Sequence, residues 1–540
     1  MMNILNLFLN LTFQLITITL KITFQILAAI IQLPFMLFNG LFSVSSGFSA
    51  PNLQRFKKRG KSLGFGAQPE DQGNAHWATD KEIKDAHLYS PVGLILGKSL
   101  SNNQEFIRWN PEGHLITIAG TGSGKGISTV VPNLLTYPGP IVVTDPKGEN
   151  YEITARARKD IGHKVYCLDP FNVCPNATKA QFNPLDLIDP SNPNFADEAK
   201  ILADLLVLRT GEEKDPHWDD KARAILSGII MFVAFFSPKG KRNLGEVRNI
   251  VMASSDKWET IIETMESATE ADGLIARTAV MIERMADEER MSVFSAMEKH
   301  TEFLDSRPVV TSLAKSSFNI WDLKNGKISI YFVLPAAEIA MYSRLLRVWI
   351  GSCIRAMVKK PGKPTYPTLF MLDEAANLGK MDLISQGVTY LRGYGVTLWI
   401  ILQNLSQLEE LYNKGWETFL GNTVIQQYFG IQDIKTSEYV SNKAGKTTIR
   451  VLSTNEGRNT GASNNPIGFS ISNSRGHSSA LTVSETPRPL IMPDEVTRLS
   501  PNEAIIFMRG KPPIPVQKVP YFLDPFFAGM YDDNPYHQSM

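Results

Sequence analysis

The stretch "HLITIAGTGSGKGISTVVPNLL", His114 to Leu135, decides the fold. Leu115 to Ala119 form an apolar run of strand length that passes into Gly120, Thr121, Gly122, Ser123, Gly124 and Lys125, then into helix-like sequence from Gly126 and Ile127 onward. A loop this rich in glycine can aim several backbone N–H groups at one point, and a helix N-terminus behind it adds positive potential there. Phosphate suits such a point, so residues 120–127 are the expected nucleotide cradle, with Lys125 reaching the β and γ phosphates as a point charge. Two positions depart from the usual spelling. Ala119 stands where Gly is customary, and Gly126 stands where a Ser or Thr hydroxyl normally meets Mg²⁺. Ser128, Thr129 or a water could take over that contact; the loop by itself is also compatible with a Gly-rich hairpin that binds nothing.

Working outward, "PIVVTDPKGEN" reads as a second buried strand ending in Asp145, Lys147 and Gly148, followed by a helix and the strand "KVYCLDP". Short apolar strands alternating with helices predict an α/β fold with a mostly parallel sheet covered on both faces. Between about Asn194 and Arg307 strand signals disappear in favour of helical texture such as "ADEAKILADLLVL" and "KARAILSGIIMFVAFF", an expected all-helical insert. The sheet resumes with "KISIYFVLP", "TLFMLDEAANLG", "VTLWIILQN" and "NTVIQQYFGIQD", and "AIIFMRG" looks like a last strand. Ser453 to Ser479, crowded with Asn, Ser and Gly, is expected as an exposed loop or loose hairpin. The resulting plan is a membrane anchor over 1–50, a nucleotide-binding domain in two parts over 51–193 and 311–525, an all-α insert over 194–310 and a short tail over 526–540.

The second half of a nucleotide site lies in "TLFMLDEAANLG", where an apolar strand runs into Asp373 and Glu374. Phosphate-loop hydrolases use one carboxylate here to hold the Mg²⁺ shell and often a second to polarise the attacking water. Asp373 suits the first role, acting through water, and Glu374 the second. Gln403 closes the next strand, where an amide could sense the γ phosphate or orient water. Arg392, on a "RGYG" turn, could face a neighbouring subunit and stabilise transition-state charge. A capping amide and a surface salt bridge are the plainer readings of those two residues.

With 540 residues, 43% of them hydrophobic, the chain can bury at least one large core. The net charge of +1 excludes a surface that is basic throughout, so a polyanion would need a local patch or an oligomeric channel. Three cysteines without metal-ligand spacing and eight scattered histidines give no sign of a zinc site and fit a reducing compartment. Before Asn52 the only charged side chain is Lys21, and Ile22 to Phe42 is long enough to span a bilayer. Arg55, Lys57, Lys58, Arg59 and Lys61 follow, which by the positive-inside rule puts the remainder in the cytoplasm. A cleaved signal peptide and a helix lying flat in the interface are the alternatives.

Taken together these residues resemble the TraG-like family of type IV secretion coupling proteins, the conjugation ATPases. The resemblance runs from roughly Pro91 to Tyr521 and rests on ordered fragments: "TGSGKGISTVVPNLL", "VVTDPKGENYEITA", "DPHWDDKARAILSGII", "LDEAANLGK", "QNLSQLEELY", "GNTVIQQYFG", "SNKAGKTT", "RPLIMPDEV" and "AIIFMRGKPP". The Lys125–Gly126 pairing recurs in that family. The resemblance implies a RecA-like P-loop NTPase using ATP and Mg²⁺, with an all-helical insert and a ring of six subunits at the inner face of a bacterial inner membrane. There it would receive DNA with relaxase, or effector proteins, and pass them to the secretion channel. Arg392 and Gln403 occupy positions that contribute to hydrolysis in the family. The anchor departs from the usual pair of membrane helices, and the chain ends soon after Tyr521 without a long acidic tail. Two alternatives stay open on sequence grounds: a DNA translocase of the FtsK or HerA kind, and a nucleotide-gated receptor or scaffold that does not hydrolyse.

Overall fold

The computed structural model describes residues 73–100, 104–208, 216–460 and 475–536. The described residues all belong to one of the two units into which the chain divides, Ala67–Met540. The expected anchor over 1–50 lies outside the described residues, and the fold below belongs to the second unit. No helix among the described residues is long and apolar enough to cross a membrane.

The strands, in chain order, are β1 (Leu94–Ser99), β2 (Phe106–Trp109), β3 (His114–Ala119), β4 (Ile141–Asp145), β5 (Lys164–Leu168), β6 (Ile328–Val333), β7 (Thr368–Leu372), β8 (Val396–Leu402), β9 (Thr423–Phe429), β10 (Lys446–Thr460), β11 (Arg475–Pro489), β12 (Glu503–Met508) and β13 (Ile514–Gln517). Eleven of them form one sheet in the order β2-β1-β13-β12-β9-β3-β8-β7-β4-β6-β5. From β9 to β5 every pairing is parallel, and from β9 outward through β12, β13, β1 and β2 every pairing is antiparallel. The expected parallel core is therefore present, with an antiparallel extension on one flank.

The run of apolar residues in each central strand follows from burial on both faces. In β3, Ile116 and Ile118 enter one core and Leu115 and Ala119 the other; in β8, Leu398, Ile400 and Leu402 oppose Trp399 and Ile401 in the same way. Removing each such large apolar side chain from water stabilises the fold by about 1.5–3 kcal/mol. Buried polar atoms are paired across the strands: Trp399 Nε1 donates to Thr117 Oγ1 at 2.9 Å and Thr117 Oγ1 to Gln427 Oε1 at 3.0 Å, which fixes β3 between β8 and β9.

Helices cover both faces. Residues of Val131–Thr136 and Glu149–Asp160 join one core, while Phe195–Leu206, His217–Phe236 and Ser343–Lys359 join the other. Between β5 and β6 the described residues form helices and turns without a strand, and their apolar faces continue the sheet's own core rather than closing a separate one. Of the two forms expected for Ser453 to Ser479, a loop or a loose hairpin, the described residues take the hairpin. β10 and β11 pair antiparallel from Lys446↔Pro489 to Thr460↔Arg475, consistent with β-prone residues at both ends, such as Thr447, Thr448, Ile449 and Thr486. The chain after Val519 runs back over the first helices: Tyr521 N donates to the Ile127 carbonyl at 3.0 Å, Asp532 N to the Ile153 carbonyl at 3.0 Å, and Phe527 is fully buried.

Candidate nucleotide site

β3 delivers Ala119 to the C-terminal end of the parallel sheet, and the loop Gly120–Lys125 turns there into Gly126–Val130, a π-helical turn that becomes an α-helix at Val131–Thr136. Pro132 lies in the first turn of that α-helix, where its missing N–H is tolerated. Gly122 and Gly124 have φ of +72° and +83°, values that L side chains rarely adopt. Ser123 closes the loop on itself, its N–H and its hydroxyl both donating to the Gly120 carbonyl, at 3.2 and 2.5 Å. Gly430, just past β9, presses on the loop from below: its carbonyl would lie 2.4 Å from a Cβ on Gly120.

β7 and β8 bring the other expected residues to the same end of the sheet. Lys125 Nζ donates to the Ala119 carbonyl at 3.1 Å and pairs with Glu374 Oε1 at 3.3 Å. Glu374 Oε2 accepts from Gln403 Nε2 at 3.0 Å, and Gln403 Oε1 accepts from Thr121 Oγ1 at 3.2 Å. The chain of contacts thus leaves the phosphate loop at Lys125 and returns to it at Thr121. Glu374 sits at φ +52°, a strained backbone for a residue with a Cβ, and strain of this kind costs about 1–3 kcal/mol and collects at functional sites. Its N–H donates to Asp373 Oδ1 at 3.0 Å, and Thr144 Oγ1 donates to the Asp373 carbonyl at 2.8 Å, so the turn is tied to the neighbouring strand.

Charge balance at the Asp-Glu pair favours a cation. Desolvation, with the Glu374 charge beside it, raises the Asp373 carboxyl to about 6, against the opposing pull of Lys125. Asp145, at the end of the adjacent β4 and 2% exposed, is raised to about 7, chiefly by burial and in smaller part by Asp373, although Tyr151 N donates to its Oδ2 at 2.8 Å. A carboxylate cluster short of positive charge beside a phosphate loop fits Mg²⁺, with Asp373 as the residue to hold it through water. The departure at Gly126 is not forced by crowding, because a Cβ there would meet nothing within 4 Å. Ser128 is already committed, donating to the Gly124 carbonyl at 2.6 Å; the Thr129 hydroxyl is buried and has no hydrogen-bond partner among the described residues.

Of the expected residues, Gly120 to Lys125, Glu374, Asp373 and Gln403 come together, while Gly126 and Ile127 open the helix behind them. Arg392 does not join them within one chain. It precedes β8 whereas Gln403 follows it, so the length of that strand separates the two, and Arg392 is exposed with Glu112 Oε2 at 3.9 Å.

Two residues given no role from sequence stand at the site. Asp145 is visible in the sequence as a strand end, and its equivalence to Asp373 follows from the β4–β7 register, in which Val143 pairs with Met371. Lys518, after β13, donates from Nζ to the Ser123 carbonyl at 2.5 Å, a contact spanning 395 residues that no local pattern announces. A third grouping lies apart. Cys167, Asp169 and Cys174 bring potential ligand atoms within 4.8 Å of one another, although their sequence spacing does not suggest it. The Asp169 carboxylate there is already held by Lys179 Nζ at 2.6 Å and by the backbone N–H groups of Val173 and Cys174.

The fold and sequence have relatives. A solved structure of the plasmid coupling protein TrwB in complex with ADP and Mg²⁺ superposes with a TM-score of 0.58 over 85% of this chain and 97% of that one, at 15% identity, and shares the α/β P-loop NTPase fold. The type IV secretion system-coupling protein VirD4 of Bartonella quintana is 30% identical over 419 residues, covering 76% of this chain and 63% of its own length, so the chain spans less than two thirds of that relative. Conjugal transfer protein TraG of Escherichia coli is 27% identical over 511 residues, covering 84% of this chain and 77% of its own. Residues 67–538 match the family described as Type IV secretory system Conjugative DNA transfer. Since that match runs through the phosphate loop, the Asp373–Glu374 turn, Gln403 and the returning C-terminal segment, the chain belongs to this family of conjugative DNA-transfer proteins.

Proposed function

We propose that the chain is the ATPase of a type IV secretion apparatus, a coupling protein that uses ATP hydrolysis to deliver DNA-protein complexes or effector proteins to the secretion channel. The observation that carries this reading is the closed chain of contacts from Lys125 through Glu374 and Gln403 back to Thr121. When ATP enters, its phosphates offer Lys125 a stronger partner than Glu374, and the Lys125 ammonium turns to the β and γ oxygens. Glu374, released from the lysine but still held by Gln403, is then free to accept a proton from the attacking water. The water oxygen bonds to Pγ as the bond between Pγ and the bridging oxygen breaks, and ADP leaves with that electron pair. Asp373 would hold Mg²⁺ through water, and the ion would supply positive charge to neutralise the phosphates.

Arg392 lies too far along β8 to serve its own loop, so in this reading it serves the loop of a neighbouring copy in a RecA-like ring of six. Residues 1–50 anchor the ring to the bacterial inner membrane, with the body in the cytoplasm. The ADP and Mg²⁺ bound in the TrwB complex support the choice of cofactors. The test is steady-state ATP hydrolysis by detergent-extracted full chain at rising protein concentration, with and without single-stranded DNA. Specific turnover that rises with concentration and vanishes in Lys125→Ala is the expected result. Tight ATP binding without turnover at any concentration would instead make the protein a nucleotide-gated receptor.

A further inference from the structure

Beyond the expected loop residues, the phosphate site carries a second lysine. Lys518 extends from the end of β13, its own N–H anchored to the Asn502 carbonyl at 2.7 Å. Its Nζ donates to the Ser123 carbonyl at 2.5 Å, lies 4.7 Å from the centre of the Phe429 ring, and is 3.6 Å from where a Cβ on Gly124 would be. None of the described ion pairs involves Lys518, so the charge rests on a carbonyl dipole and an aromatic face. β8 and β9 flank β3 on opposite sides, which places Glu374 and Gln403 on one side of the loop and Lys518 on the other.

An unpaired ammonium held against a phosphate loop is poorly placed for a purely structural role. Linking β13 to the loop would need only a neutral donor, and burial without a carboxylate makes the charge itself unfavourable. A bound nucleotide reverses that balance by bringing several negative charges to the loop. We propose that Lys518 is a positioning residue for nucleotide binding, clamping the loop through Ser123 and adding a second positive charge to the field that holds the phosphates. The inference rests on the ATPase reading above and names a further determinant of that same site.

One consequence separates a charge from a mere clamp. Burial lowers the Lys518 ammonium to about 8. The groups against its Nζ are the Ser123 carbonyl and Gly124 of the loop and the Phe429 ring of β9, none of which titrates, while across the β12–β13 pairing Glu503 stands opposite Gln517, its carboxyl raised by burial. Across the β1–β13 pairing, Lys98 stands opposite Gln517 and is tied to Asp524 at 2.5 Å. Nucleotide affinity should therefore fall as pH rises past about 8, when the amine becomes neutral.

The experiment measures ADPNP affinity of the full chain from pH 7 to 9.5, in the parent, Lys518→Arg and Lys518→Met, with thermal unfolding followed in parallel to separate affinity from stability. The parent is expected to weaken severalfold to tenfold across that range. Lys518→Arg, which keeps its charge, should stay flat, and Lys518→Met should be weak at pH 7 and also flat. A parent profile copied by Lys518→Arg, or parent-like affinity in Lys518→Met at pH 7, overturns the inference while leaving the ATPase reading intact. A parent that binds no ADPNP at pH 7 overturns both.

Discussion

Substituting alanine at three glycines around the phosphate loop should give three different results, because the structure loads each position differently. Gly430 has φ +58°, and a Cβ there would lie 2.4 Å from Ser123 Cβ, more than an ångström inside ordinary carbon contact. The left-handed backbone costs an L residue about 1–2 kcal/mol, and the overlap adds about 1–3 kcal/mol if it follows other overpacked sites. Relief must come from Ser123, which is pinned to the Gly120 carbonyl twice and to Lys518 once, so the loop itself deforms. Gly122 has φ +72° with open space around a Cβ, which leaves only the backbone term. Gly126 has neither strain nor overlap, and alanine there should be neutral or stabilising by up to about 1 kcal/mol. Urea unfolding should accordingly rank Gly430→Ala as losing about 2–5 kcal/mol, Gly122→Ala about 1–2 kcal/mol, and Gly126→Ala nothing. A titration with ADPNP should show at least a tenfold weaker complex for Gly430→Ala, as expected if about 1.4 kcal/mol of the distortion falls on the bound loop. Parent-like affinity in Gly430→Ala, or a loss in Gly126→Ala equal to that in Gly430→Ala, would refute the geometric reasoning.

Glu374→Gln should bind ATP about as well as the parent yet turn it over at least a hundredfold more slowly, since general-base groups contribute about that much; equal single-turnover rates would remove Glu374 from the chemistry. Arg392→Ala alone and Lys125→Ala alone should both be inactive, and mixing them should recover part of the turnover, because some interfaces then combine an intact loop with an intact arginine. No recovery in mixed rings would argue against a shared site. At acid pH the buried histidines set a slope. His163 accepts at Nδ1 from an Arg158 N–H at 3.0 Å and is lowered to about 4, mainly by burial and then by Arg158. The unfolded chain takes up that proton below about 6.5 and the folded chain does not, so stability is full above 6.5 and falls as pH drops toward 4, by on the order of 3 kcal/mol. Comparing parent with His163→Asn in urea at pH 7 and pH 4.5 isolates this share from the opposing effect of Asp145 and Asp373, and an unchanged pH difference would show that His163 carries none of it.

What can be seen in the sequence follows from how far apart the interacting residues lie along the chain. Each strand announces itself through neighbours: Leu115 to Ala119 are apolar at nearly every position because both faces are buried, and a local pattern reports that directly. The loop glycines are legible for a similar reason, since two of them need positive φ and the requirement belongs to the residue itself. Asp373 and Glu374 become readable once strand ends are located, because a parallel sheet brings the C-terminal ends of its strands to one edge. Contacts across the antiparallel flank leave no such trace. Lys518 closes an ordinary short strand sequence, "PIPVQK", and meets Ser123 only because β13 and β12 fold back beside β9. Gly430 is equally silent, being one glycine after a strand until β9 is paired with β3 and its carbonyl meets Gly120. Arg392 shows the converse limit. Its place in the sequence suggests a catalytic arginine, yet β8 holds it at the strand end remote from Gln403, so under the proposed ring it would act only through a second copy of the chain. The residues set in or beside the ends of the parallel strands are thus legible, Arg392 among them, and those that meet the loop only once distant strands are paired, Lys518 and Gly430, are not.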